Sequence, residues 1–279
     1  MNVTHPDEIL SGGPPRDGIP AIDRPKFLTA GEARYLKPQD RVLGIVHDGV
    51  AKAYPIRIMD WHEIVNDRFG EEAIAVTYCP LCGTGMAFDA DVGGKTLYFG
   101  VSGLLYNSDV LLYDRQTQSL WSQIMRTAVS GPLKGEKLQS VPITHTSWAD
   151  WKKHHPRTLV LSTDTGFRRD YDRSPYAGYE RSEEVIFPVK FRSQGYHPKE
   201  QVIGLEVAGK FKAYPFAELA KSPTEFRDVV NGQQVTVLFD VEHRTGAVFD
   251  GEGRELPSVI AFWFAWYGFH PDTEIYHAK

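Results

Sequence analysis

The strongest constraint on this chain of 279 residues is that it repeats itself. Val42-Leu43-Gly44-Ile45 leads through Gly49 to Lys52-Ala53-Tyr54-Pro55, and Val202-Ile203-Gly204-Leu205 leads through Gly209 to Lys212-Ala213-Tyr214-Pro215, with no gap inside either copy. Each copy reads as two short strands joined at a glycine turn, followed by a proline that stops strand pairing and admits a helix. The match goes on with small gaps: Val65-Asn66 against Val230-Asn231, Val76-Thr77 against Val235-Thr236, and Thr84-Gly85 with Phe88-Asp89 against Thr245-Gly246 with Phe249-Asp250. Leu138, Ser140 and Val141 match Leu256, Ser258 and Val259. The pattern W-x-x-W-x-x-x-H-P-x-T occurs at Trp148 to Thr158 and again at Trp263 to Thr273.

Such a repeat predicts an internal duplication: a β-rich α+β fold of two pseudo-symmetric lobes packed as one unit, with an insertion in the first. The boundaries are an extended Gly- and Pro-rich arm over 1–26, a first lobe over 27–165 with the insertion near 90–132, a connecting segment over 166–189, and a second lobe over 190–279. Asp60 and Glu63 form a D-x-x-E pattern that predicts a helix starting near Asp60. Both W-x-x-W segments predict a short helix that stops before the His-Pro pair.

Composition narrows the function classes. The formal charge of −5, a pI near 6.1 and the lack of long basic runs give no footprint for nucleic acid. The longest apolar run, Val259 to Phe269, is far short of the roughly 20 residues a spanning helix needs, so no membrane span is expected. The first residues, MNVTHPDEIL, show no signal peptide. A small-molecule ligand is the expected partner.

A repeated chain also sorts its own residues, because a polar feature found in one copy only is the better candidate for function. His155 and His270 occur in both copies and are read as structural. Cys79-Pro80-Leu81-Cys82-Gly83 occurs once, and Cys79 and Cys82 are the only cysteines. A strand running into C-P-x-C-G resembles a zinc knuckle, in which two thiolates hold a metal ion, although a full ribbon needs a second pair. The remaining ligands must then be sought elsewhere: Cys82 falls opposite His243 in the repeat, which makes His243 the leading third ligand, with His62 next. One transition-metal ion, copper, zinc or iron, is the expected cofactor. The second one-sided feature is Val101-Ser102-Gly103-Leu104-Leu105-Tyr106-Asn107-Ser108-Asp109, in which Ser102, Asn107 and Asp109 suit a pocket wall, with Asp109 as general base or outer-sphere partner. Its structural alternative is an Asn-Ser-Asp turn between strands.

H-E-I-V-N-D at 62–67, V-T-Y-C-P-L-C-G-T at 76–84, F-G-V-S-G-L-L-Y-N-S-D at 99–109, Y-D-R-Q-T-x-S-L-W-S-Q at 113–123 and F-W-F-A-W-Y-x-F-H-P-D-T at 262–273 resemble a prokaryotic family catalogued as a domain of unknown function, number 3179. The resemblance spans nearly the whole chain. It implies no activity, and it implies an extracytoplasmic location, since many members resemble exported or lipid-anchored proteins. The leading reading is a metal-binding protein, extending to a metal-dependent oxidoreductase acting on a small molecule. The alternatives are a thiol–disulfide protein that uses Cys79 and Cys82 without metal, and a non-catalytic ligand-binding module with a structural metal.

Overall fold

Short apolar runs closed by glycine turns fold as hairpins, and in this chain the hairpins are collected into blades. A computed structural model describes residues 6–278. Its five small sheets, each of four or five strands, are arranged as a five-bladed β-propeller. Blade I holds Arg41–His47 and Val50–Pro55, flanked by Thr144–Ser147, Leu159–Leu161 and Phe27–Thr29. Blade II holds Ile64–Phe69, Glu72–Cys79, Thr84–Asp89 and Ser140–Val141. Blade III holds Ile9–Ser11, Phe99–Tyr106, Asp109–Asp114, Leu120–Ser122 and Thr127–Ser130. Blade IV is Gln201–Val207, Lys210–Pro215, Ser258–Phe262 and Glu274–Ile275, and blade V is Glu225–Val230, Gln233–Asp240, Thr245–Asp250 and Glu255–Leu256.

The two-lobed α+β arrangement expected from the repeat is therefore corrected. The helices α1 (Ile56–His62), α2 (Trp148–His154), α3 (Phe216–Leu219) and α4 (Trp263–Phe269) have at most seven residues each, too few to build a layer. The largest apolar cluster also ignores the expected lobe boundary. It joins Cys79 and Cys82 of blade II, Leu112 and Trp121 of blade III, Tyr179 of the connecting segment, and Phe262 and Phe264 at the end of blade IV. Matching motifs mark equivalent strands in different blades, and a hairpin pattern carries no information on how many sheets will share one core. The segment read as an insertion near 90–132 supplies four strands of blade III, and Ile9–Ser11, from the arm, pairs at its edge with Ile9 opposite Tyr106.

The repeated motifs themselves have a physical explanation. Trp151 and Trp266 lie directly over Gly44 and Gly204, where a β-carbon would fall 2.2 and 2.3 Å from the indole ring. Each indole N–H donates to a threonine hydroxyl, Thr158 at 2.9 Å and Thr273 at 3.0 Å. His155 and His270 cap α2 and α4, and their rings lie 4.1 and 4.3 Å from the same tryptophans. In the K-A-Y-P segments the polar atoms reach across to the next blade: Lys52 and Tyr54 meet Asp67 at 2.8 and 2.6 Å, and Lys212 and Tyr214 meet Asp228 at 2.9 and 3.0 Å. Buried ammonium groups are tolerated because each is paired and hydrogen-bonded.

The helix expected to begin near Asp60 ends there instead. Pro55, extended at φ −63° and ψ 131°, stops blade I pairing and starts α1 at Ile56, while Glu63 closes the helix in the left-handed region at φ 57°. The β-branched pair Ile64-Val65 then continues as a strand.

Candidate metal centre at the cysteine turn

The strand Glu72–Cys79 is buried from Ile74 to Thr77 and delivers Cys79 to the end of blade II. Pro80-Leu81-Cys82-Gly83 turns the chain back into Thr84–Asp89, with the Cys82 N–H donating to the Cys79 carbonyl at 3.2 Å. Gly83 has φ +61°, and a β-carbon on it would meet the Phe262 ring at 2.8 Å. The Phe262 N–H donates to the Cys82 carbonyl at 2.7 Å, which pins blade IV to this turn. Both cysteines are free and at most 1% exposed.

Blade III brings the third group. Asn107 and Ser108 both have positive φ, 50° and 67°, and join Phe99–Tyr106 to Asp109–Asp114 as a two-residue turn whose twist matches the strands. Asn107 anchors that turn, donating to the Gly268 carbonyl at 3.0 Å and accepting from the Lys190 N–H at 2.8 Å. The Ser108 carbonyl accepts from the Cys82 thiol at 3.3 Å. Asp109, wholly buried, places a carboxylate oxygen within 4.8 Å of ligand atoms on both cysteines. Its Oδ2 accepts the Ile124 N–H at 3.0 Å, and both thiols act on the carboxylate as donors.

Burial dominates the electrostatics. Asp109 is pushed up to about 7 by burial, opposed by the N–H groups of Ile124 and Val110 and by hydrogen bonds from the Cys82 and Cys79 thiols. Burial, with Cys79 beside it, raises the Cys82 thiol. Glu63 is pushed up to about 8, first by burial and then by the charges of Asp109 and Asp60. Asp60 is pushed up to about 6 by burial despite the Ser174 hydroxyl that donates to it at 2.5 Å. A buried set of this kind is stable only if protons or a bound cation neutralise it.

The other predicted site residues lie as follows. Ser102 donates to the Leu111 carbonyl and accepts the Leu104 N–H at 3.0 Å, holding a register shift in its hairpin. Neither histidine belongs to the cysteine group. Both ring nitrogens of His62 are engaged, with the Pro20 carbonyl at 2.7 Å and the Tyr171 hydroxyl at 2.6 Å. His243 stands at the equivalent turn of blade V, hydrogen-bonded to Ser147 at 2.9 Å and grouped with Asp150 and Asp240. The structure thus brings Asp109 to the two cysteines and leaves His243 and His62 elsewhere. Sequence reasoning missed Glu63, Asp60, Tyr176 and Tyr179. The first two were visible as D-x-x-E but were read as a cap, and the tyrosines were visible only as aromatic spots in a polar connecting segment.

A cavity of about 230 Å³ opens beside the turn, lined by Asp60, Tyr78, Pro80, Tyr176, Tyr179 and Phe262 among others. No helix among the described residues is long and apolar enough to cross a membrane. No curated protein and no solved structure matches the chain. A family model described as protein of unknown function (DUF3179) matches residues 16–255, a span that includes Cys79, Cys82, Asp109 and Glu63, and the chain belongs to that family.

Proposed function

We propose that this chain is a metal-binding protein in which Cys79, Cys82 and Asp109 hold one transition-metal ion. The observation that supports it most is the meeting of two buried thiols with a buried carboxylate, their ligand atoms all within 4.8 Å of one another. Three buried acidic groups this close can give up their protons only where a cation takes up the charge, which a metal ion does for all three together. Thiolate and carboxylate donors suit zinc, copper or iron, and three protein ligands leave a coordination position open. Bound copper or iron would supply one-electron chemistry. Asn107 and Ser102 act through the backbone, Asn107 by fixing the turn that carries Asp109 and Ser102 by fixing the hairpin behind it.

A second reading, a metal-free dithiol, is favoured by one feature. Asp109, pushed up to about 7, lies beside the thiols and would take the proton of a cysteine thiol, whose sulfur then bonds to one sulfur of a partner's disulfide while the other leaves as a thiolate.

Elemental analysis of protein purified without chelator separates the two. The metal reading expects close to one ion per chain, lost in Cys79→Ser and kept in His243→Ala. Metal-free protein with two titratable thiols contradicts it.

A further inference from the structure

The cavity beside the cysteine turn has walls of one chemical character. Tyr78, Tyr176, Tyr179 and Phe262 supply aromatic surface, Asp60 and Glu180 supply carboxylates, and among the described residues no lysine or arginine lines it. Arg168 and Arg169 line the adjoining cavity instead, across the shared wall of Asp60 and Tyr176, and Arg41, whose charge reaches Tyr78 and Glu180, is committed to the carbonyls of His243 and Arg244. Lys199 lies 4.2 Å from the centre of the Tyr179 ring, but its ammonium is committed to the carbonyls of Ser182 and Glu184.

One carboxylate in these walls keeps an oxygen free. Asp60 is 8% exposed, and only its Oδ2 is hydrogen-bonded, to Ser174. Tyr179 is 9% exposed and offers the cavity its ring, while its hydroxyl is wholly buried beside the Ile186 backbone. A carboxylate with one oxygen free among aromatic rings is complementary to a positive ligand that carries N–H donors. An ammonium gains from both the carboxylate and the ring faces, more so where water is excluded. At about 30 Å³ per water-sized group, a cavity of about 230 Å³ has room for roughly eight non-hydrogen atoms.

We infer that this cavity binds a small organic ammonium ion, with its nitrogen at Asp60 and Glu180 and its body against the tyrosines, reaching Pro80 at the cysteine turn. The inference rests on the metal reading only for its consequence, which is that the ammonium compound is then the substrate or effector of the cysteine centre.

Calorimetric titration of the full chain, with metal content measured on the same sample, tests it with three probes of similar size: benzylamine, benzyl alcohol and benzoate. Benzylamine is expected to bind saturably at one site, at least about tenfold more tightly than either analogue, since each tenfold step corresponds to about 1.4 kcal/mol. Asp60→Asn is expected to weaken benzylamine about tenfold, and Glu180→Gln by less. The inference is overturned if the three probes bind alike, if Asp60→Asn binds benzylamine as the unaltered chain does, or if zinc ion binds at Asp60 while the amine does not. The probe series on the unaltered chain carries the test even if Asp60→Asn fails to fold. Amine binding by a chain that holds no metal would remove the metal reading and leave the cavity assignment standing; a metal-loaded chain that ignores the amine would do the reverse.

Discussion

The turns at Cys79–Gly83 and Asp240–Arg244 are the same piece of backbone in two settings. In both, the residue before the loop pairs with a threonine after it, Cys79 with Thr84 and Asp240 with Thr245. Both end in the left-handed region, Gly83 at φ 61° and Arg244 at φ 47°. In both, the third loop residue turns its N–H back, Cys82 to the Cys79 carbonyl at 3.2 Å and His243 to the Asp240 carboxylate at 3.1 Å. What differs is the covering. The cysteine turn is buried beneath the Asn107-Ser108 turn, Phe262 and the tyrosines of the connecting segment, whereas the blade V turn leaves Val241 62% exposed and His243 half-buried against Ser147. Candidate chemistry arises here from what is laid over a common turn, and the turn geometry alone does not make a site.

Several substitutions break or sharpen this contrast. Gly83→Ala combines a left-handed φ with a clash against Phe262 and should cost about 2–4 kcal/mol in denaturant unfolding, whereas Arg244→Ala at the equivalent place should cost less than about 1 kcal/mol. Comparable in size is the pH dependence of stability. Glu63 has a folded pKa raised to about 8, so its neutral form is favoured by folding: the contribution is complete below about pH 4.5 and is lost as pH rises through about 8. Thermal unfolding should show stability falling across that window by on the order of 5 kcal/mol, and Glu63→Gln should flatten the fall. Asp109→Asn keeps the shape but removes the charge, and should weaken metal binding about 10–100-fold by competition with a chelator, while Asp240→Asn leaves it unchanged. The smallest effect is Ser147→Ala, which removes the α2 cap and the His243 hydrogen bond for about 1 kcal/mol, with no change in metal content.

Local structure was legible in the sequence where one motif contains all its own partners. The W-x-x-W-x-x-x-H-P-x-T segments predict short helices ending before the His-Pro pair, and each is closed by its own Trp–Thr hydrogen bond. The blades were not legible, because their closure depends on contacts such as Phe262 against Gly83 that the strand pattern does not encode. The pairing of Cys82 with His243 shows the same limit: the alignment is real at the level of the turn, but equivalent positions in separate blades need not meet. Asp109 was reachable through its one-sided motif. Glu63 was not, since the same D-x-x-E spacing serves a helix start in one context and a buried, left-handed helix end in this one.

The ligand shell of the bound metal, read by X-ray absorption on protein purified without chelator, tests the central claim most directly. The account predicts two sulfur neighbours at about 2.3 Å and an oxygen neighbour at about 2.0–2.2 Å. A shell without sulfur and with imidazole nitrogen, the signature expected of the His243 turn, would contradict it.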